Sequence, residues 1–235
     1  KVKAKQMFSW LRFMTHPDGK ISYFNDAALG ACSDLGILSK YAESLGIELP
    51  FHRSTNNMEL KESGFCRLAN ENFTAILDIG PIGASYLAGH AHADTLSFEM
   101  SIHDQRIIVN GGTSTYEDNQ QRLFERGTKS HSTLTLEDMD SSEVWGAFRV
   151  ARRANIVEKK CEVDGDLKTA RASHDGYINR LPGKPVHQRT WELTSNQLLV
   201  SDQVQSSSQN EGLARFIFHP DVKINDLKDS RLWSL

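Results

Sequence analysis

No apolar run in this sequence approaches the roughly 20 residues that a membrane-crossing helix needs, so no transmembrane helix is expected. Basic runs are absent as well. With 27 Lys and Arg against 30 Asp and Glu the net charge is −3, and no nucleic-acid footprint is expected. That balance still allows basic residues to cluster locally around an anionic substrate. Cysteine is scarce: Cys32, Cys66 and Cys161 are far apart and odd in number. They show neither metal-ligand spacing nor an evident disulfide framework, and the expectation is three small buried side chains. There is no internal repeat and no signal-peptide pattern. The latter carries little weight in a chain that starts at Lys1, without Met, inside a helix-like stretch. What is present is ordinary for a globular protein: 235 residues, 39% hydrophobic and 24% charged, enough for one large or two small domains.

The hydrophobic period changes along the chain. Met7, Phe8, Leu11 and Met14 form a helical stripe with Trp10 beside it, ended by the turn chemistry of His16-Pro17-Asp18-Gly19. A second helix is predicted over about 26–45, with Leu29, Leu35, Leu38, Tyr41, Ala42 and Leu45 as its apolar face and Gly46 as its stop. Two such helices cannot enclose a large core, so residues 1–50 read as the end of a bigger helical domain. Residues 51–60 are polar and aperiodic and read as a linker. Beyond them the period becomes two. Strands are predicted over 73–79 and over 96–102, where Leu96, Phe98, Met100 and Ile102 alternate with Ser97, Glu99 and Ser101. His103-Asp104-Gln105 is a hairpin turn, and 106–110 is the return strand. Further strands are expected at 132–137, 148–157, 168–173, 189–193, 197–202 and 214–219, with 205–211 as a polar loop. Many short strands between polar turns indicate an antiparallel β-sandwich over 61–235.

His90-Ala91-His92-Ala93-Asp94 is the most unusual local pattern. In extended chain the two imidazoles and the carboxylate share one face, which suits a metal site or a site for proton transfer and anion binding. Surface histidines at a strand start are the plainer alternative. His131 enters another strand. Asn110, before Gly111-Gly112, reads first as a turn former and second as a metal or substrate contact. Tyr116 lies in a Gly/Ser/Thr-rich loop, where a tyrosine can act as general acid or base but more often packs. Arg122 and Arg126 share a face if 118–126 is helical, and they either bind a carboxylate or sulfate or are solvated. His16, His52, His103, His174, His187 and His219 are assigned to structure or solvent. Trp145, Trp191 and Trp233 are candidates for stacking on sugars, although core packing is the commoner use.

Taken in order, several segments resemble the heparinase II/III-like polysaccharide lyases. They are Gly80-Pro81-Ile82-Gly83, Gly89 to Glu99, Val109-Asn110-Gly111-Gly112-Thr113, Arg126 to Thr133 and Ser141-Ser142-Glu143-Val144-Trp145. Upstream, Thr15-His16-Pro17-Asp18-Gly19 and Phe24-Asn25-Asp26-Ala27 are similar to the end of that family's helical toroid. The resemblance implies an incomplete α/α-toroid followed by a β-sandwich, with β-elimination of uronate polysaccharides at their interface. It implies that His90 faces substrate near the uronate carboxylate and that Tyr116 matches a catalytic tyrosine. It further implies a zinc site with His92 and His131 as ligands, where position 110 is often an aspartate in relatives. Asn110 departs from that pattern, and an amide is a poorer ligand; Asp94 is an alternative carboxylate or a partner for a histidine.

The expectations are therefore these. The chain is part of a lyase acting on an acidic polysaccharide or oligosaccharide, with zinc as a candidate cofactor, no nucleic-acid or membrane partner, and export to the periplasm or beyond. The toroid residues that usually supply Tyr, His and Asn would precede Lys1, so this segment alone is expected to be inactive. A non-catalytic carbohydrate-binding or zinc-stabilised module is the alternative. A hydrolase using Asp94 and Glu99 ranks lowest, since their spacing puts them on opposite faces of a strand.

Overall fold

In the computed structural model, residues 2–49, 58–226 and 233–234 are described, the side chains from 225 onward excepted. Helix α1 spans Val2–Phe13 and α2 spans Leu35–Ser44. The second helix is shorter than its apolar pattern predicts. Asn25 at φ 52° and Gly30 at φ 72° interrupt the chain before it, and the Asp34 carboxylate caps its start by accepting from the Ile37 N–H at 3.0 Å. Leu29 lies outside the helix and is exposed. On α1 the stripe is displaced: Met7 is exposed, while Phe13 and Met14 enter a core with Phe24, Phe65 and Ile76. Residues 51–57 of the expected linker lie outside the described residues, and Glu59 and Leu60, at its end, form a strand.

Five strands follow one another in a single antiparallel sheet: β1 (Glu59–Leu60), β2 (Phe65–Ala69), β3 (Phe73–Asp78), β4 (Phe98–Ile102) and β5 (Gln105–Ile108). Next come α3 (Gln120–Arg126), a 3-10 turn (Thr128–Ser130), β6 (Leu134–Leu136), β7 (Val144–Trp145) and β8 (Arg149–Val150). A second antiparallel sheet, in the order β12-β11-β10-β9, is built from β9 (Ile156–Asp164), β10 (Leu167–His174), β11 (Val186–Leu193) and β12 (Leu198–Gln205). Then β13 (Gly212–Ala214) pairs with β6, and β14 (Asn225–Asp226) with β15 (Trp233–Ser234). The strand expected over 148–157 is broken into β8 and the start of β9, and that expected over 214–219 is reduced to the end of β13 and a bridge from Phe218 to Ile108.

The two sheets close on a shared core. Leu68, Leu77, Phe98 and Met100 from the first meet Ala170, Ala172, Trp191 and Leu193 from the second. Ala170 pairs with Trp191 across the ladder, so a small residue makes room for the indole. Full burial of each such large apolar side chain contributes about 1.5–3 kcal/mol. Trp191 is therefore core.

The first sheet is covered on its other face too. Ile76 packs there on the segment after α1, and the polar row of β4 is buried beneath that segment. Glu99 accepts from the Tyr23 N–H at 2.5 Å and lies 3.1 Å from His16 Nε2, while Ser101 Oγ meets His16 Nδ1 at 2.7 Å. Arg106 joins Glu99 to Asp18. The alternation over 96–102 thus marks an apolar core on one face and a buried polar interface on the other.

Candidate active site

Residues 90–97 are irregular chain, so the two histidines do not share a strand face. They are brought together by Asp26, in the turn between α1 and α2. His90 Nδ1 lies 2.7 Å from Asp26 Oδ2, and His92 Nε2 lies 2.9 Å from Asp26 Oδ1. Arg122 grips both oxygens of the same carboxylate, through Nη1 to Oδ1 and through Nη2 to Oδ2 at 2.8 Å. Asn25 adds a side-chain oxygen that accepts from the His92 N–H at 3.1 Å.

Two backbone features seat this turn. The Thr113 N–H donates to the Ala27 carbonyl at 2.9 Å. Gly112, at φ 58°, passes so near that a Cβ there would sit 1.9 Å from the Ala27 oxygen. Only glycine fits that approach and that φ.

Burial alone would raise the Asp26 carboxyl, but hydrogen bonds from His92, Arg122 and His90 outweigh it and hold the group well below the ordinary carboxylate range. An ionised carboxylate can only accept, so His90 Nδ1 and His92 Nε2 both carry hydrogens. His90 is 58% exposed in its side chain, and Nε2 is the nitrogen that Asp26 does not engage. Beside it stands Tyr116, 51% exposed, with ring centroids 5.7 Å apart. Phe148 completes the cluster at 5.8 Å from His90 and 5.5 Å from Tyr116. The Arg122 guanidinium lies beneath, 5.2 Å from the Tyr116 ring centre and 5.3 Å from that of Phe148.

Arg122 and Arg126 do share a face of α3, whose start is capped by Asn119 accepting from the Arg122 N–H at 2.9 Å. Their expected role in substrate binding is corrected by their burial, since both are 0% exposed. Arg122 is the counter-ion of Asp26 and also donates to the Ala147 carbonyl and to Thr113 Oγ1. Arg126 donates to the carbonyls of Ala91, Gly146 and Arg149, bracing the loops around the histidines.

His92, Asn110 and His131 also converge, in a buried layer under His90. The His92 and His131 ring centroids are 5.3 Å apart, and His131 Nδ1 lies 2.9 Å from Asn110 Oδ1. Burial and the neighbouring His92 hold His131 far below the usual imidazole range, hence neutral. His92 Nδ1, His131 Nε2 and Asn110 Nδ2 are buried and have no hydrogen-bond partner. Two imidazole nitrogens are thus left without a partner, and the third member contributes an amide whose oxygen already faces His131.

As a zinc centre the set is short of a ligand, because catalytic zinc takes three protein ligands and structural zinc four. Among the described residues no group of three or more His, Cys, Asp or Glu could hold a metal. Asp94 does not fill the gap. Its Oδ2 has no partner, burial pushes its carboxyl up to about 6, and Asp26 takes the histidine-holding role expected of it. Glu99, held by Tyr23, Arg106 and His16, is no partner for a hydrolytic pair. Trp145 is half exposed under the Arg149 guanidinium, and the Trp233 side chain lies outside the described residues.

Asp26 is the functional residue that sequence reasoning missed. Its signal was Asn25, a residue tolerant of positive φ directly before an acid, which marks a turn where a helix was drawn.

Residues 52–234 match the family model described as heparinase II/III-like, C-terminal. The chain belongs to the heparinase II/III-like family. Solved structures agree in fold. A heparinase III gene product is similar at a TM-score of 0.72 and 19% identity, over 95% of this chain and 35% of its own. A mutant heparan sulfate lyase from Pedobacter heparinus gives 0.70 and 18%, over 93% and 35%. Another heparinase III gives 0.63 and 15%, over 87% and 34%. The heparinase II/III-like chain described here therefore spans about a third of the length of these structures. No curated protein matches it in sequence.

Proposed function

We propose that the complete protein is a polysaccharide lyase that cleaves a uronate-containing polysaccharide by β-elimination, with His90 and Tyr116 as the reacting groups this chain contributes. The observation that carries the proposal is the exposed His90–Tyr116 pair over the buried Asp26–Arg122 ion pair. In such a reaction the C5–H bond breaks, a C4=C5 double bond forms, and the C4–O4 bond breaks as O4 takes a proton. The C5 proton is weakly acidic until the adjacent carboxylate is neutralised. Asp26 fixes the His90 ring so that its exposed edge faces the uronate carboxylate. Tyr116 takes the proton-transfer role beside it, and Phe148 offers an apolar wall for the sugar ring. No step runs through a metal.

Residues 1–50 are the end of a helical domain and 61–235 the sandwich, in an exported protein. Relatives named heparinase III and heparan sulfate lyase make heparan-type chains the first substrates to test. The full-length protein is expected to generate the ultraviolet absorbance of an unsaturated uronate on at least one polymer of a panel that includes heparan, alginate and bacterial exopolysaccharides. The 235-residue chain alone is expected to give none. In the full-length protein, His90→Ala and Tyr116→Phe each cut the rate by about 10²–10⁴-fold, with melting temperature little changed because both side chains are exposed. Carbohydrate binding without absorbance on any polymer would replace the lyase by a non-catalytic binding module, the reading that Asn110 favours.

A further inference from the structure

Cys66 and Cys161 are 95 residues apart in sequence, yet their Sγ atoms lie 3.0 Å apart. Cys66 points into the core from β2, fully buried. Cys161 stands on β9, the edge strand of the opposite sheet, and is partly exposed. A second cross-sheet contact fixes this register. Glu59 pairs with Cys66 across β1 and β2, and Lys159, two residues before Cys161 and so on its face of β9, reaches Glu59 at 2.7 Å.

We propose that Cys66 and Cys161 form a disulfide that staples the two sheets together when the folded protein meets a disulfide-donating oxidant. The sulfurs must close by about 1 Å to reach bonding distance, near 2.05 Å, a movement within the range of side-chain rotation. In the exchange, the Cys161 thiolate attacks the donor disulfide and one donor thiol leaves. Cys66 then gives up its proton and attacks Cys161 of the mixed disulfide, releasing the second donor thiol. Two protein thiols are oxidised, and one donor disulfide is reduced to two thiols. Solvent access selects the order, because only Cys161 can be reached from outside. The hydrogen bond from Cys66 lowers the Cys161 thiol, whereas Cys161 and burial raise that of Cys66. Cys32 is exposed and has no place in the bond.

The test is titration of the folded protein with oxidised glutathione, followed by denaturation and maleimide counting of thiols. The sequence holds three cysteines; Cys66 and Cys161 are expected to leave the count together, with a Cys66–Cys161 cross-linked peptide in the non-reducing digest, while the exposed Cys32 remains as a thiol or as a glutathione adduct. The oxidised form is expected to melt roughly 5–10 °C above the reduced form, since the bond closes a long loop. Cys161→Ser removes the cross-link and the melting shift, and Cys32→Ser leaves both intact. A count that stays at three, a stable glutathione adduct on Cys161 without the cross-link, or a cross-link through Cys32 would each overturn the proposal.

Discussion

At the scale of single residues, Asp26 fixes which ring nitrogen of two histidines faces it and neutralises a guanidinium that solvent cannot reach. Asp26→Asn keeps the shape but leaves Arg122 buried without its counter-ion, and breaking a buried pair in this way costs about 3–5 kcal/mol. The expected result is a large drop in the urea midpoint, checked by denaturation monitored by circular dichroism. Asn110 offers the complementary change. Asn110→Asp supplies the carboxylate that the His92–His131 pair lacks, next to nitrogens that have no partner. Without metal the variant is expected to be less stable than wild type, since a buried charge is unpaired. With zinc it should recover, binding one ion per chain by metal analysis where the wild type binds less. Equal zinc binding by both proteins would show that position 110 is no ligand. The sequence made Asn110 legible as a departure but hid Asp26, because its partners are at positions 90, 92 and 122, beyond any local pattern.

At the scale of elements, β10, β11 and β12 carry a buried polar chain continuous with the core. The inward row of β11 runs from Leu193 and Trp191 to Arg189 and His187. The Gly176 N–H donates to His174 Nδ1, so His174 Nε2 carries its hydrogen toward His187 Nδ1 at 3.1 Å, and His187 Nε2–H meets Asp202 at 2.6 Å. Arg189 closes the chain on Asp202 and donates to the carbonyls of Leu96 and Ser132, the latter adjacent to His131. Burial lowers both His174 and His187, and the His187 and Arg189 charges act in the same direction on His174. Their unfolded forms take up protons below pH about 6.5 more readily than the folded forms, so stability falls as pH drops from there. Asp94, raised to about 6, acts in the opposite sense over part of that range. The variant difference isolates the histidines: the urea midpoint is expected to fall less between pH 7.5 and 5 in His174→Gln/His187→Gln than in wild type. Strand existence here was readable from period two; the polar chain was not, because inward polar residues look outward-facing to an alternation rule.

At the scale of the whole molecule, the sandwich was legible because many short alternating strands and polar turns admit few other architectures. The helical segment was less so. Its apolar stripes predict one buried face on each helix, but Met7, Leu29, Tyr41 and Leu45 are exposed, and apolar contacts come from Phe13, Met14 and Phe24 against the outer face of the first sheet. That docking also hides Glu99, His16 and Arg106, with Asp18 at the exposed edge of a cluster whose members are scattered between positions 16 and 106. The division of labour between chain regions follows from contact, and composition shifts alone do not display it.

The Asp26 turn belongs to the region before the strands, whereas both rings it orients lie within the strand region, between β3 and β4. Separation of the two regions would take away the carboxylate that holds His90 and His92, freeing both rings before any strand unfolds. The orientation of the histidines is thus interlocked with assembly: loss of the interface removes their shared anchor even in a fully formed sandwich.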